Sequence, residues 1–107
     1  MAAADRLVWI DCEITGLDLG TDELVEVAAV VTDFDLKPLD PGFDIVIKPS
    51  DAAVAQMGEV VRTMHNASGL MEAMQHGVTL GDAESQVLDY LERRVTPCCI
   101  EIGRAHV

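Results

Sequence analysis

The 107-residue chain is short of basic residues, of aromatics and of cysteine, and the first and last shortages exclude whole classes of function. Seven Lys and Arg stand against 19 Asp and Glu, a formal charge of −12. Such a chain cannot hold a long nucleic acid by neutralising many phosphates, because that mode needs a basic face. Nucleic acid is left as a substrate only if divalent cations mediate the contact, and carboxylates are then wanted, since Mg²⁺ and Mn²⁺ take hard oxygen ligands. Cys12, Cys98 and Cys99 are odd in number and the last two are adjacent, so neither a disulfide framework nor a CxxC metal pair is written here. A reducing, cytoplasmic compartment is the default. The chain also lacks a cationic opening followed by an apolar stretch, and its longest apolar run is too short to span a bilayer, so no membrane is expected.

What is present is globular. Half of the residues are apolar and 24% are charged, which is not the composition of a disordered chain. Leu7 to Ile10 (LVWI) and Leu24 to Thr32 (LVEVAAVVT) are β-rich runs suited to buried strands, joined by TGLDLGTDE, whose glycines and acids mark a connection. Phe43 to Ile47 (FDIVI), bounded by Pro41-Gly42 and Pro49-Ser50, reads as a third strand. The period then changes: Val54, Met57, Val61 and Met64 share one helical face. A second helix is expected from an N-cap at Asp82, with Val87, Leu88, Leu91 and Val95 as its apolar stripe and Pro97 as its stop. Strands followed by helices predict a mixed α/β layer, but three strands and two helices make an incomplete one.

The chemistry is concentrated at Asp11 and Glu13. Side chains two apart on a strand share a side, so D-x-E at the end of LVWI sets two carboxylates together. They repel unless a proton or a cation intervenes, which makes the pair unfavourable when buried and useful at a metal. Two divalent ions about 3.5–4 Å apart can hold both the attacking and the leaving oxygen of a phosphoryl displacement. The plain alternative is a pair of acids keeping a strand end soluble, since short motifs match often by chance. An EF-hand loop, with Asp11, Glu13, Thr15, Gly16 and Asp22 at its first, third, fifth, sixth and twelfth positions, fails on context: a strand precedes it, Asp18 fills the apolar position, and Asp replaces the closing Glu. Cys12 faces away from the pair and reads as a core thiol. Trp9 reads as core, the methionines as gap-filling core or interface residues, and Glu26 as a carboxylate needing a partner or an edge.

WIDCEITGLDLGTDELVEVAAVVTD resembles the first exonuclease motif of the DEDD superfamily, and specifically of oligoribonucleases: W-[IV]-D-x-E-[MI]-T-G-L-D, then an apolar strand with an internal Glu. MHNASGL, Met64 to Leu70, is similar to the H-x-x-S-G-L segment of the same family, and the likeness covers most of residues 5–95. The resemblance implies an RNase H-like mixed sheet with flanking helices, truncated after the first three strands and the helices that follow. It also implies a 3′→5′ exoribonuclease that degrades very short RNA to 5′-mononucleotides with Mg²⁺ or Mn²⁺, homodimeric when full-length. Asp11 and Glu13 would be two of four acidic metal ligands. The backbone around Thr15 and Gly16 would face the 3′-terminal sugar, and Leu17 would wedge against the terminal base. His65 would contact the terminal 5′ phosphate, with Ser68 of the same segment a further substrate contact. Read independently, a helical histidine is more often a solvated or core residue.

The pattern also departs from the family. No G-N-S-type segment supplies a third acid, and no H-x-x-x-x-D segment closes the site; His106 is followed only by Val107 and cannot be assigned as the general base. Residues 1–97 are thus expected to be the N-terminal part of an exonuclease domain that is inactive alone. Residues 98–107 form a tail outside the family pattern, for Glu101 to Val107 (EIGRAHV) looks like the conceptual translation of a widely used sequencing-adapter oligonucleotide. Two rivals stay open: a DNA-proofreading exonuclease of the same superfamily, and a non-catalytic metal-binding or interaction module.

Overall fold

The structure is a computed structural model and describes residues 6–18 and 20–95, together with the backbone of residues 101–104. The three expected strands are present as β1 (Arg6–Ile14), β2 (Leu24–Asp33) and β3 (Phe43–Val46), each antiparallel to the next in sequence. Helices α1 (Asp51–Ala55), α2 (Glu59–Ser68), α3 (Leu70–Ala73) and α4 (Leu80–Glu92) follow, with a 3₁₀ turn at Met74–His76. A fourth strand, β4 (Glu101–Arg104), pairs parallel to β1 and gives the sheet order β3-β2-β1-β4. The EIGR segment has no alternation to announce it; a short strand needs only extended backbone and an open ladder beside β1.

Alternation along the strands sorts the core into layers. Val8, Ala29 and Val31 pack with Tyr90 and Val95 on the α4 side, while Ile45 and Ile47 meet Ala83 of the same helix. A β-bulge between Glu13 and Ile14 pairs Glu13 with Glu26 but Ile14 with Leu24, leaving Val25 as the extra residue. Bulges re-aim side chains. Here Leu24 joins the α4 layer, whereas fully buried Val25 packs with Met57, Leu70 and Met74 beneath α1–α3. The helices α1–α3 are thereby fixed beside the bulged end of β1, where D-x-E lies.

Several expected details are corrected. The face Val54-Met57-Val61-Met64 is not one helix: the chain leaves the helix after Ala55 and restarts with Gly58 as N-cap, so the phase resets. Met64 is consequently 52% exposed and its neighbour His65 is the buried residue. The N-cap of α4 is Thr79, whose hydroxyl accepts from the Asp82 amide at 3.1 Å, so Asp82 is the third helical residue, where an acid suits the helix dipole. Ala83, Val87, Tyr90 and Leu91 turn to the sheet, and Leu88, off that stripe, is 52% exposed. Trp9 is half-buried rather than core, with its indole N–H donating to Thr32 Oγ1 at 3.0 Å. Cys12 is exposed. Strand alternation correctly set its side, opposite Asp11 and Glu13, but not whether a layer covers that end. Met57 and Met74 are buried as expected, and Pro97 lies outside the described residues. Among the described residues no helix is long and apolar enough to cross a membrane.

Candidate active site

Asp11 and Glu13 both lie within β1, where alternation puts them on one face, and both are half-buried. Register extends that face across the sheet. Glu13 sits opposite Glu26, and Asp11 sits opposite Ala28, which in turn sits opposite Asp44 of β3. Four carboxyl groups from three strands therefore share one surface. A cavity of about 380 Å³ opens there, lined by Trp9, Asp11, Ala28, Val30 and Asp44 among others.

This crowding is visible in proton affinity. Glu26 is pushed up from 4.5 to about 7, first by a hydrogen bond shared with Asp44, then by burial and by the negative charges of Asp44, Glu13 and Asp11. The partner expected for Glu26 is thus a second acid, held by a shared proton. Asp44 was not singled out in the sequence: its place on this face depends on the β2–β3 register, which no motif encodes.

The connection after β1 is built tightly. Thr15 is fully buried. Its amide donates to the Glu23 carbonyl at 3.0 Å and its hydroxyl donates to Asp22 Oδ1 at 2.7 Å, so both are used inside the loop. A Cβ on Gly16 would lie 2.5 Å from Asp22 Oδ2, so a side chain there would have to displace that carboxylate. Leu17, next in line, is 90% exposed. His65 is 3% exposed, and its Nε2 donates to the Ile14 carbonyl at 2.9 Å, tying α2 to the end of β1. Ser68 is exposed; its hydroxyl donates to the His65 carbonyl at 3.2 Å and accepts from the Leu70 amide at 3.4 Å, bracing the α2–α3 junction around Gly69, whose φ of 84° suits glycine. The candidate residues thus gather at one end of the sheet, with Asp11, Glu13, Gly16 and Leu17 reaching its surface and Thr15 and His65 embedded behind them.

The donor set on the acid face is all carboxylate, the chemistry of Mg²⁺ or Mn²⁺ rather than of zinc or copper. Carboxyls close enough to share a proton are also where a divalent cation relieves repulsion. Among the described residues no three His, Cys, Asp or Glu side chains converge to enclose an ion.

The arrangement defines the class as an RNase H-like nuclease fold. It superposes on the crystal structure of a full-length 3′-exonuclease with a TM-score of 0.71 at 14% identity, covering 96% of this chain and 47% of that one. The nuclease domain of a DEDDh family member bound to rAMP gives a TM-score of 0.70 at 14% identity, over 95% and 52% of the two chains. The exonuclease family model RNase_T matches residues 8–97, and the chain belongs to that family. Among relatives, the oligoribonuclease of Leifsonia xyli is 58% identical over 91 residues, 85% of this chain and 44% of the relative. The oligoribonuclease of Streptomyces avermitilis is 60% identical over 91 residues, 85% and 46% of the two. The chain spans a little under half the length of these curated relatives.

Proposed function

We propose that the full-length protein is a 3′→5′ exoribonuclease of the oligoribonuclease type, hydrolysing very short RNA to 5′-mononucleotides. The observation that carries this reading is the D-x-E pair: two carboxylates on one face of β1, within a wider acid surface and directly before the exposed Leu17. Asp11 and Glu13 would hold two Mg²⁺ or Mn²⁺ ions, which when bound polarise the scissile phosphate and activate water. Asp11, two residues before Glu13 on the same face of β1, would contact both ions. Gly16 backbone and Leu17 would receive the 3′-terminal sugar and base, the apolar side chain stacking where water is otherwise its neighbour. Thr15 supports that backbone from beneath. His65 and Ser68 would serve the terminal 5′ phosphate end of the substrate; with Nε2 committed to Ile14, a phosphate contact by His65 uses Nδ1. The present chain supplies two of four acidic ligands and no general base, so it is inactive alone. A cytoplasmic location and a homodimer belong to the same proposal.

The same D-x-E-x-T-G core serves DNA-proofreading exonucleases, and H-x-x-S-G-L with Trp9 favours RNA. The test is a comparison of dinucleotide RNA, long RNA and single-stranded DNA as substrates of the full-length protein. The proposal expects the dinucleotide to be turned over fastest; preference for DNA, or no hydrolysis of any of them with Mg²⁺ or Mn²⁺, contradicts it.

A further inference from the structure

Asp22 belongs to the connection after β1 and has no role in the scheme above, and both of its carboxylate oxygens are committed. Oδ1 accepts from the Thr15 hydroxyl at 2.7 Å, and Oδ2 accepts from the Asp18 amide at 2.9 Å. The carboxylate thereby bridges the two residues that flank Gly16 and Leu17. It lies so close under Gly16 that a Cβ there would fall 2.5–2.8 Å from three of its atoms. A Cβ at position 16 would therefore have to push the carboxylate out of this bridge. The backbone closes the same link: the Asp22 amide donates to the Asp18 carbonyl at 2.8 Å, and the Glu23 amide donates to Thr15 Oγ1 at 3.0 Å.

The Thr21 and Glu23 side of the connection is fastened outward to the ends of α1. Gln56 Nε2 donates to the Thr21 carbonyl at 2.9 Å, and the Glu23 carboxylate accepts from the Ser50 amide at 2.9 Å and the Ser50 hydroxyl at 2.6 Å. Leu17 itself, at 90% exposure, has almost no packing to hold it. An exposed apolar side chain gains free energy from any apolar surface that docks on it. Its position is set by the backbone on either side, and the Asp22 bridge spans that backbone. The Thr15 hydrogen bond, followed by that from the Asp18 amide, also holds the Asp22 carboxyl below its ordinary value, so the bridge stays ionised near neutral pH.

We propose that Asp22 is a positioning residue for substrate binding: by bridging Thr15 and Asp18 beneath Gly16 it fixes the height and direction at which Leu17 meets the terminal base. This rests on the exonuclease reading above. Asp22 touches neither substrate nor metal in this scheme and acts through Leu17.

The test uses the full-length protein with a dinucleotide RNA. Asp22→Ala is expected to raise KM about 10- to 100-fold, the scale of a small misplacement, with kcat changed little because Asp11 and Glu13 lie on β1. Asp22→Asn, which keeps one acceptor, should fall between. Leu17→Ala removes the positioned group and leaves the bridge, so Asp22→Ala added to Leu17→Ala should raise KM no further; residues acting as one unit are non-additive. Multiplicative effects of the two changes, or a loss confined to kcat, overturn the proposal. Amide hydrogen exchange judges the bridge without reference to activity: Asp22→Ala should speed exchange at Asp18 and Gly20 while the β1–β2 ladder stays protected. Unchanged loop protection overturns the proposal even if the enzyme is active. Absence of dinucleotide hydrolysis by the wild type would instead count against the exonuclease reading.

Discussion

Glu26→Gln should stabilise the metal-free protein above neutral pH and leave it unchanged in acid. Folding moves the Glu26 carboxyl from 4.5 to about 7, so the folded state binds its proton more tightly than the unfolded chain does. For an acid raised in this way the sign is opposite to that of a salt-bridged carboxylate. Its contribution is favourable to folding at low pH, and stability is lost as pH rises from about 4.5 to about 7. At about 1.4 kcal/mol per pH unit the displacement corresponds to at most about 3 kcal/mol. Glu26 is only half-buried and Asp44 is exposed, so solvent screening reduces this to about 1–2 kcal/mol. Glutamine keeps a donor for Asp44 and removes the charge. Thermal unfolding in EDTA, with each kcal/mol worth about 2–4 °C for a protein of the relatives' length, should show the variant about 2–8 °C above wild type at pH 8. The two should coincide near pH 4. A gain of equal size at both pH values, or a loss at pH 8, would exclude this origin of the shift, because neither follows from a proton shared by Glu26 and Asp44 beside the charges of Glu13 and Asp11.

Two further outcomes follow from the packing. Gly77→Ala would drive a Cβ to 2.6 Å from the Ile47 carbonyl carbon and the Lys48 amide nitrogen, backbone atoms that cannot swing aside, so a loss of about 1–3 kcal/mol in urea unfolding is expected; wild-type stability would show that β3 and the α3–α4 connection are not in contact there. His65→Ala should cost about 1–3 kcal/mol through the unpaired Ile14 carbonyl and, in the full-length enzyme, weaken the preference for the shortest RNA. An unchanged melting temperature would deny the anchoring contact, and unchanged length discrimination would deny the phosphate role.

The strands were legible because their signals are local. LVWI and LVEVAAVVT are apolar runs of strand length, and D-x-E carries its own geometry once it lies in a strand. The helical half was read less well, since one spacing of apolar residues runs through Val54 to Met64 although Gly58 restarts the helix. Asp82 resembles a cap, but Thr79 three residues earlier takes that place and uses Asp82 at the third position. Burial of Cys12 and Trp9 was misjudged for a different reason: alternation tells which side of a sheet a residue faces, not whether a helix covers it. At the site, Asp11, Glu13 and Leu17 were singled out from motif and resemblance alone. Asp44 and the company of Glu26 were not, because a cross-strand neighbour depends on register, and register was fixed by turns and a bulge that no short pattern encodes. Asp22 was seen only as a misfit in an EF-hand count, and its contacts with Thr15, Gly16 and Asp18 become apparent in three dimensions.

If Asp11 and Glu13 act together on one face of β1 as ligands for divalent cations in phosphodiester hydrolysis, loss of either carboxylate must stop the reaction. The most direct measurement is dinucleotide RNA turnover by the full-length protein with Mg²⁺ or Mn²⁺, in wild type, Asp11→Ala and Glu13→Ala, alongside circular dichroism of each. Turnover is expected to be abolished in both variants with the fold retained; wild-type rates in either one would show that its carboxylate is not a required metal ligand.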